Sequence, residues 1–463
     1  MENGQNNGTN SGPSPRNDND DIDNCSTYSM ISVLTADEIS DPRGFCIVCL
    51  IILIGDMSRG IVFPTLWPLT KKLGGTEVAQ GYVVSAFSFG RILVSPLFGS
   101  WSVTHGYKKT LTFSMSILTL GTLLYAQAQN VGRVDFLIFA QTVLGVGSGT
   151  LGVTRAFVAE VTPTRNRTTY MAWLTAMQYA GFTGTPLLGA VLLKIFGDDD
   201  ENRNGASLFS LDGYNSPAYF MTIMCIITIT LLNTMFIDRV REKAAKTKKS
   251  SKRMEIEAIA NERSWFGLTV YDATILGLLV LNVATKGSIA SFETLGITIA
   301  EIQFNMYSSS AGFIVGTCGV CGVAALLSMG HLSKFMTDAQ MIAGGMLVSS
   351  LGIMSLFDMK EGQDNPSWRF IFAMFLIYSI GYPIGHTAVI GLFSKVVGRR
   401  PQGTLLGWFA SAGSLSRMFF PIMSGYVAHH LGTSVLFIIL AIVLVLSAIV
   451  VSVKADLLEI LSR

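Results

Sequence analysis

The chain has 463 residues, of which 50% are hydrophobic and only 14% charged, with 33 Lys and Arg against 31 Asp and Glu. Soluble proteins carry about 25% charged residues, and a net charge of +2 supplies no basic field for a polyanion, so a cytosolic enzyme, a disulfide-framed secreted domain and a nucleic-acid binder are excluded. The charges cluster in residues 1–43 and 238–263, and the rest is long apolar runs between short polar breaks, the pattern of a polytopic helical membrane protein.

Residues 1–43 are rich in Asn, Asp, Ser and Gly, with no basic segment and no early apolar run. They read as a disordered cytoplasmic tail rather than a signal peptide, which leaves insertion to the first span. Spans are expected at 44–66, 78–98, 110–128, 135–157, 170–195 and 217–237. Beyond a basic cytoplasmic loop at 238–268, read as a solvated tether, they continue at 269–291, 304–329, 340–357, 368–393, 404–428 and 433–453, with a C-terminal tail at 454–463. The expected fold is therefore all-α: twelve transmembrane helices in two six-helix bundles, 44–237 and 269–453.

Loop charge orients the spans, because Lys and Arg stay on the cytoplasmic side. With the N-terminus cytoplasmic, the inward loops hold seventeen Lys and Arg, including Lys108, Lys109, Arg165, Arg167, Lys334, Lys395, Arg399 and Arg400. The outward loops hold five: Lys71, Lys72, Arg133, Arg203 and Lys360. Both termini are expected in the cytoplasm, and the sequons at Asn7, Asn24 and Asn166 are expected to stay unglycosylated. Cys46/Cys49 and Cys318/Cys321 have C-x-x-C spacing but lie in apolar helices without a neighbouring His or acid, so they read as packing residues.

The halves resemble each other. In span five Trp173 precedes Pro186 by thirteen residues, and in span eleven Trp408 precedes Pro421 by thirteen, an offset of 235. Asp56 before Gly60 in span one and Glu293 before Gly296 in span seven hold near-equivalent places. Such internal repeats place a substrate site near the midplane where the halves meet.

This layout resembles the major facilitator superfamily. After span two, Gly99, Gly106 and Lys108 match glycine and basic positions of its G-x-x-x-D-R-x-G-R-R signature, while Val103 and Thr104 stand where Asp and Arg belong. In span four, Gln141, Gly145 and Gly147 resemble R-x-x-x-G-x-G with Gln replacing Arg. In span five, Gly181, Gly184, Pro186 and Gly189 resemble the glycine-proline motif for bending and close helix contact. The gating and helix-bend candidates are Gly99, Gly106, Gly145, Gly147, Gly184, Pro186 and Pro421. The stretches 85–102 and 381–422, with Phe292-Glu293-Thr294, resemble the lysosomal ceroid-lipofuscinosis branch and the related vacuolar phosphate transporters. That resemblance implies an anion-handling protein of a lysosomal or vacuolar membrane, with the plasma membrane as the alternative.

Charges at lipid depth are costly and mark function. Asp56, Arg59, Arg91, Lys286, Glu293, His386 and Arg417 are the substrate and coupling candidates. Arg59, three residues after Asp56, shares its face and is expected to pair with it. Arg417 has no acid within a turn of it in sequence and is expected to be free for an anion, which its forked donors suit. Lys286 and Glu293 lie one i+7 face apart. His386 is either a packing residue or a proton relay.

The expected activity is secondary transport of a small anionic solute by alternating access, with Glu293 or Asp56 as proton acceptor. The alternatives are an endolysosomal chloride conductance and a non-transporting scaffold or receptor. The expected partners are the small-molecule or ion substrate and membrane lipid, with no nucleic acid. No cofactor, metal or catalytic residue is expected, since His, Cys and acids form no zinc-spaced cluster, nucleophile elbow or phosphate-cradling loop.

Overall fold

In a computed structural model, which describes residues 39–196, 212–237, 269–357, 366–398, 400 and 402–462, helix starts are written by local side chains. Span one opens at Pro42, where the Asp41 carboxylate accepts from the Gly44 amide at 2.9 Å. Span nine opens on a capping box in which Thr337 and Gln340 each accept from the other's backbone amide. These bonds satisfy amides that a helix start leaves without partners. The tail at 1–38, the central loop at 238–268, Cys25 and the sequons at Asn7 and Asn24 lie outside the described residues.

Among the described residues, ten helices are long and apolar enough to cross a membrane. Asp338–Ser355 and Gln402–Leu431 complete twelve as spans nine and eleven; their Ser, Gly and charged residues make them more polar, and each is packed among other spans. The two six-helix halves expected from the sequence are present. The duplication extends to helix ends: span five is Arg167–Phe196 and span eleven is Gln402–Leu431, each 30 residues long with its proline inside, and both ends keep the 235-residue offset.

Several boundaries differ from expectation. Span one is Pro42–Gly60 followed, after a break, by Phe63–Lys72, with Pro64 in the first turn of the second piece. Span four is likewise two pieces, Val134–Gly147 and Leu151–Val161, and runs past the expected end at 157. Span seven continues well beyond 291, through Glu293 to Phe304, where Asn305 turns left-handed with φ 48°. Span ten contains a π-helical segment, Phe375–Gly381, between Ser367–Met374 and Tyr382–Val397. Residues 455–462 of the expected tail form a short helix whose Leu458 and Leu461 are buried.

The halves meet along spans two and eleven, the second piece of span four and span eleven, and span five with spans eight and ten. At the end of the bundle bearing Lys108 and Arg167, hereafter the basic end, this seam is closed by glycine. A Cβ on Gly99 would overlap the Gly403 carbonyl, one on Gly152 would lie 2.6 Å from the Gly407 Cα, and one on Gly407 would lie 2.6 Å from the Ser95 carbonyl oxygen. Polar bonds reinforce the closure: Arg167 donates to the Ser394 carbonyl at 3.2 Å, and Thr168 donates to Asp338 at 2.9 Å while Lys395 donates to the same carboxylate at 2.6 Å.

Candidate functional site

The seven polar candidates converge between the halves, but not in the expected pairs. Asp56 (1% exposed) does not pair with Arg59. It accepts from Arg91 of span two at 2.9 Å, and Arg91 also donates through Nε to Ser148 at 3.2 Å. Arg59 instead lies among three rings, with its guanidinium carbon 5.9, 5.7 and 5.4 Å from the centroids of Phe63, Phe87 and Phe182. Arg91 offers Asp56 a charge-assisted bond and keeps a second acceptor of its own, whereas the aromatic faces hold Arg59 by cation–π attraction.

Arg417 is not free either. It donates to Glu293 at 3.0 Å, a bond made possible because span seven continues as helix past residue 291. Its guanidinium carbon also lies 5.4 Å from the Phe182 ring, so Phe182 of the first half is shared by Arg59 and Arg417. Each acid therefore pairs with an arginine of its own half, and neither ion pair crosses the seam. Lys286 is buried, lies against Gly413 of span eleven, where a Cβ would come within 2.7 Å of its Nζ, and has no carboxylate within 4.0 Å among the described residues. The His386 ring stacks on Tyr382 with centroids 5.1 Å apart, and its Nδ1 shares a hydrogen bond with Thr285 at 3.2 Å.

Asp56, Gln178, Phe182, Tyr382, His386 and Arg417 line an enclosed cavity of about 20 Å³ between the halves, room for little more than a water molecule. Several buried atoms there have no hydrogen-bond partner: Asp56 Oδ2, His386 Nε2, Thr387 Oγ1 and Arg417 Nε. Buried polar atoms without a hydrogen-bond partner are expensive, and four of them border this one cavity.

Sequence reasoning missed Arg155. It lies two residues from the expected end of span four, where a charge reads as interfacial, yet the helix runs on to Val161 and Arg155 is among the largest fully buried side chains. An unassigned charge inside an apolar run was the available signal. Counting it, Arg59, Arg91, Arg155, Lys286 and Arg417 have, among the described residues, only Asp56 and Glu293 as ion-pairing carboxylates. Arg59, Arg155 and Lys286 are left without an acid among the described residues.

The glycine candidates divide. Gly145 and Gly147 bring the first piece of span four against the Phe87 carbonyl of span two and Leu118 of span three, and Gly106 joins spans two and three with φ 91°. Gly184 is the exception: a Cβ there meets nothing within 4 Å, and the close contacts of span five with span one fall to Gly181 and Gly189. Pro186 and Pro421 lie inside their helices. The five described cysteines, Cys46, Cys49, Cys225, Cys318 and Cys321, are free.

This is the architecture of a two-bundle helical membrane protein with a charged central layer. A profile of the Major Facilitator Superfamily matches residues 48–292 and 283–456, and the chain belongs to that family. It is 26% identical over 445 residues to major facilitator superfamily domain-containing protein 8 of Xenopus laevis, covering 84% of this chain and 86% of that one. Among solved structures, it resembles the human organic anion transporter MFSD10 (TM-score 0.66, 14% identity, 89% of this chain and 100% of that one). It also resembles the proton:xylose symporter XylE (TM-score 0.70, 14% identity, 88% and 94%).

Proposed function

We propose that the protein is a secondary transporter of a small anionic solute, working by alternating access and driven by protons. The observation that carries this reading is the basic excess of the central layer, in which three buried or half-buried basic side chains have no carboxylate partner among the described residues. The fold itself serves an organic anion transporter and a sugar symporter alike, so the charge of the site rather than the fold supports the choice of an anion. Uncompensated cations in a low-dielectric interior cost several kcal/mol each, a cost that an anionic ligand offsets.

Glu293 is the proton acceptor in this reading. When neutral it loses its charge-assisted hold on Arg417, whose guanidinium already faces Phe182 of the other half. The proton thereby biases which half Arg417 engages, and a ligand or proton that binds two conformations unequally shifts their balance. A lysosomal or vacuolar membrane, with both termini in the cytoplasm, is the address that the resemblance in spans ten and eleven and the loop charges support.

The test is flux by the purified protein in liposomes, with chloride, phosphate, carboxylates, amino acids and a sugar, with and without an imposed pH gradient. Saturable anion uptake that rises with the gradient is expected. Uptake of the sugar alone overturns the anion reading, and unsaturating single-channel chloride currents assign the protein to the conductance class instead.

A further inference from the structure

Arg155 is nearly inaccessible, at 1% exposure, on the second piece of span four. One of its nitrogens, Nη2, donates to the Gln178 side-chain oxygen at 3.0 Å, while Nε and Nη1 have no partner. A guanidinium has five N–H donors and no acceptor, so a single neutral amide oxygen is thin compensation for a buried charge. Gln178, on span five, is itself part of the wall of the central cavity. Arg417, Tyr382 and His386 line the same cavity, and Arg155 shares electrostatic reach with the carboxylate of Asp56 as well as with Tyr382, Arg91, Arg417 and Lys286.

We propose that Arg155 is the principal substrate-holding cation of the central site and that Gln178 is its placeholder, occupying the guanidinium between transport events. The substrate is accordingly an oxyanion, carrying a carboxylate or phosphate group, rather than a monatomic halide. The inference deepens the anion-transport reading and rests on it.

The geometry works as follows. The amide oxygen of Gln178 holds the position that one substrate oxygen takes. Rotation of the Gln178 side chain opens Arg155 to the cavity, and an oxyanion then replaces a neutral acceptor by a charged one. Charge-assisted bonds to a guanidinium are stronger than bonds between neutral groups, and its planar edge meets two oxygens at once. A spherical halide meets the fork with one atom where a carboxylate or phosphate matches it with two oxygens. Lys286, on the other half, lies within electrostatic reach of Arg155, so a bound oxyanion meets basic groups of both halves at once, as a solute carried between them must.

The competing role for the pair is a structural tether between spans four and five. The two are separated by binding to the purified full-length protein, read by thermal unfolding and calorimetry with succinate, inorganic phosphate and chloride as probes. Wild type is expected to bind succinate or phosphate, and whichever arm responds names the oxyanion. R155Q is expected to weaken that binding at least tenfold. Q178E places a carboxylate on Arg155 from within the chain, so it should abolish binding of the same probe while unfolding at a temperature no lower than wild type. Q178A, which removes the placeholder, should keep the affinity or tighten it.

A tether predicts the same stability for Q178E but binding like wild type, and that result overturns the proposal even if R155Q fails to fold, while the anion reading stands. Binding of chloride alone by wild type, lost in R155Q, also overturns the oxyanion assignment. A wild-type protein that binds none of the three probes overturns the inference, and one that also takes up no anion of the flux panel overturns the reading beneath it.

Discussion

The glycine seam at the basic end makes a quantitative prediction about conformational balance. In the conformation described, a Cβ on Gly407 lies 2.6 Å from the Ser95 carbonyl oxygen and 3.0 Å from the Pro96 Cα, both backbone atoms that cannot rotate away. Ordinary contact starts at 3.4 Å, so Gly407→Ala forces spans two and eleven about 0.8 Å apart, and overpacking of this kind costs about 1–3 kcal/mol. At about 1.4 kcal/mol per tenfold, the closed basic end loses ground by about 5- to 150-fold.

The readout is maleimide labelling of Ser102→Cys in detergent-solubilised protein whose native cysteines are replaced by serine. Ser102 is buried at this seam, 2.7 Å from where a Cβ on Gly403 would lie. Labelling should accelerate by that factor in Gly407→Ala and also in Gly152→Ala, whose Cβ meets the Gly407 Cα at 2.6 Å. Gly184→Ala is the control, since its Cβ meets nothing within 4 Å, and it should label at the parent rate. Unchanged labelling in Gly407→Ala, with helical content preserved, refutes the view that glycine packing holds this end closed.

Three further outcomes follow from the polar contacts. Asp56→Asn leaves Arg91 buried without its acid and should destabilise the fold by about 3–5 kcal/mol, seen as a lower unfolding temperature; Asp56→Asn with Arg91→Met should recover most of the loss, and a double variant as unstable as the single one sinks the pairing argument. Asp338→Ala removes the acceptor shared by Thr168 and Lys395 at a cost of about 1–3 kcal/mol, so Ser102→Cys labelling should accelerate at least several-fold, whereas a slower rate contradicts a latch at this point. Glu293→Gln keeps a hydrogen-bond acceptor for Arg417 but cannot take a proton, so anion uptake by this variant should lose its dependence on the pH gradient; a variant that still responds to the gradient moves the proton to another group.

What was legible in the sequence depended on how local its cause is. Twelve spans, two halves and the repeat of spans five and eleven follow from hydropathy and from residues such as Trp173, Pro186, Trp408 and Pro421, because transfer to lipid acts on each segment separately. The break after Gly60 and the π segment at Phe375–Gly381 were not legible, since backbone irregularity at depth depends on which neighbouring helix satisfies the freed groups. Here Tyr179 of span five donates to the Tyr378 carbonyl at 3.3 Å and Ser379 donates to the Cys318 carbonyl at 2.9 Å.

The ion pairs were the hardest part to read. Sequence displays neighbours at i+3, such as Asp56 and Arg59, but not the cross-helix approach of Arg91 to Asp56, or of Arg417 to Glu293 across a separation of 124 residues. Those pairs in turn bear on how the duplicated halves have diverged. Asp56 and Glu293 hold near-equivalent places, yet Asp56 takes its arginine from span two and Glu293 takes its own from span eleven, the repeat-mate of span five rather than of span two. Asp56 thus braces two helices of one half, through an arginine whose guanidinium carbon lies 4.9 Å from the Phe87 ring centroid. Glu293 restrains the arginine that faces the Phe182 ring. A proton on Asp56 would loosen one bundle, whereas a proton on Glu293 would release a group at the seam. On the proposed proton-coupled reading, pairing geometry therefore suits the first acid to stability and the second to coupling, a division that their matching sequence contexts conceal.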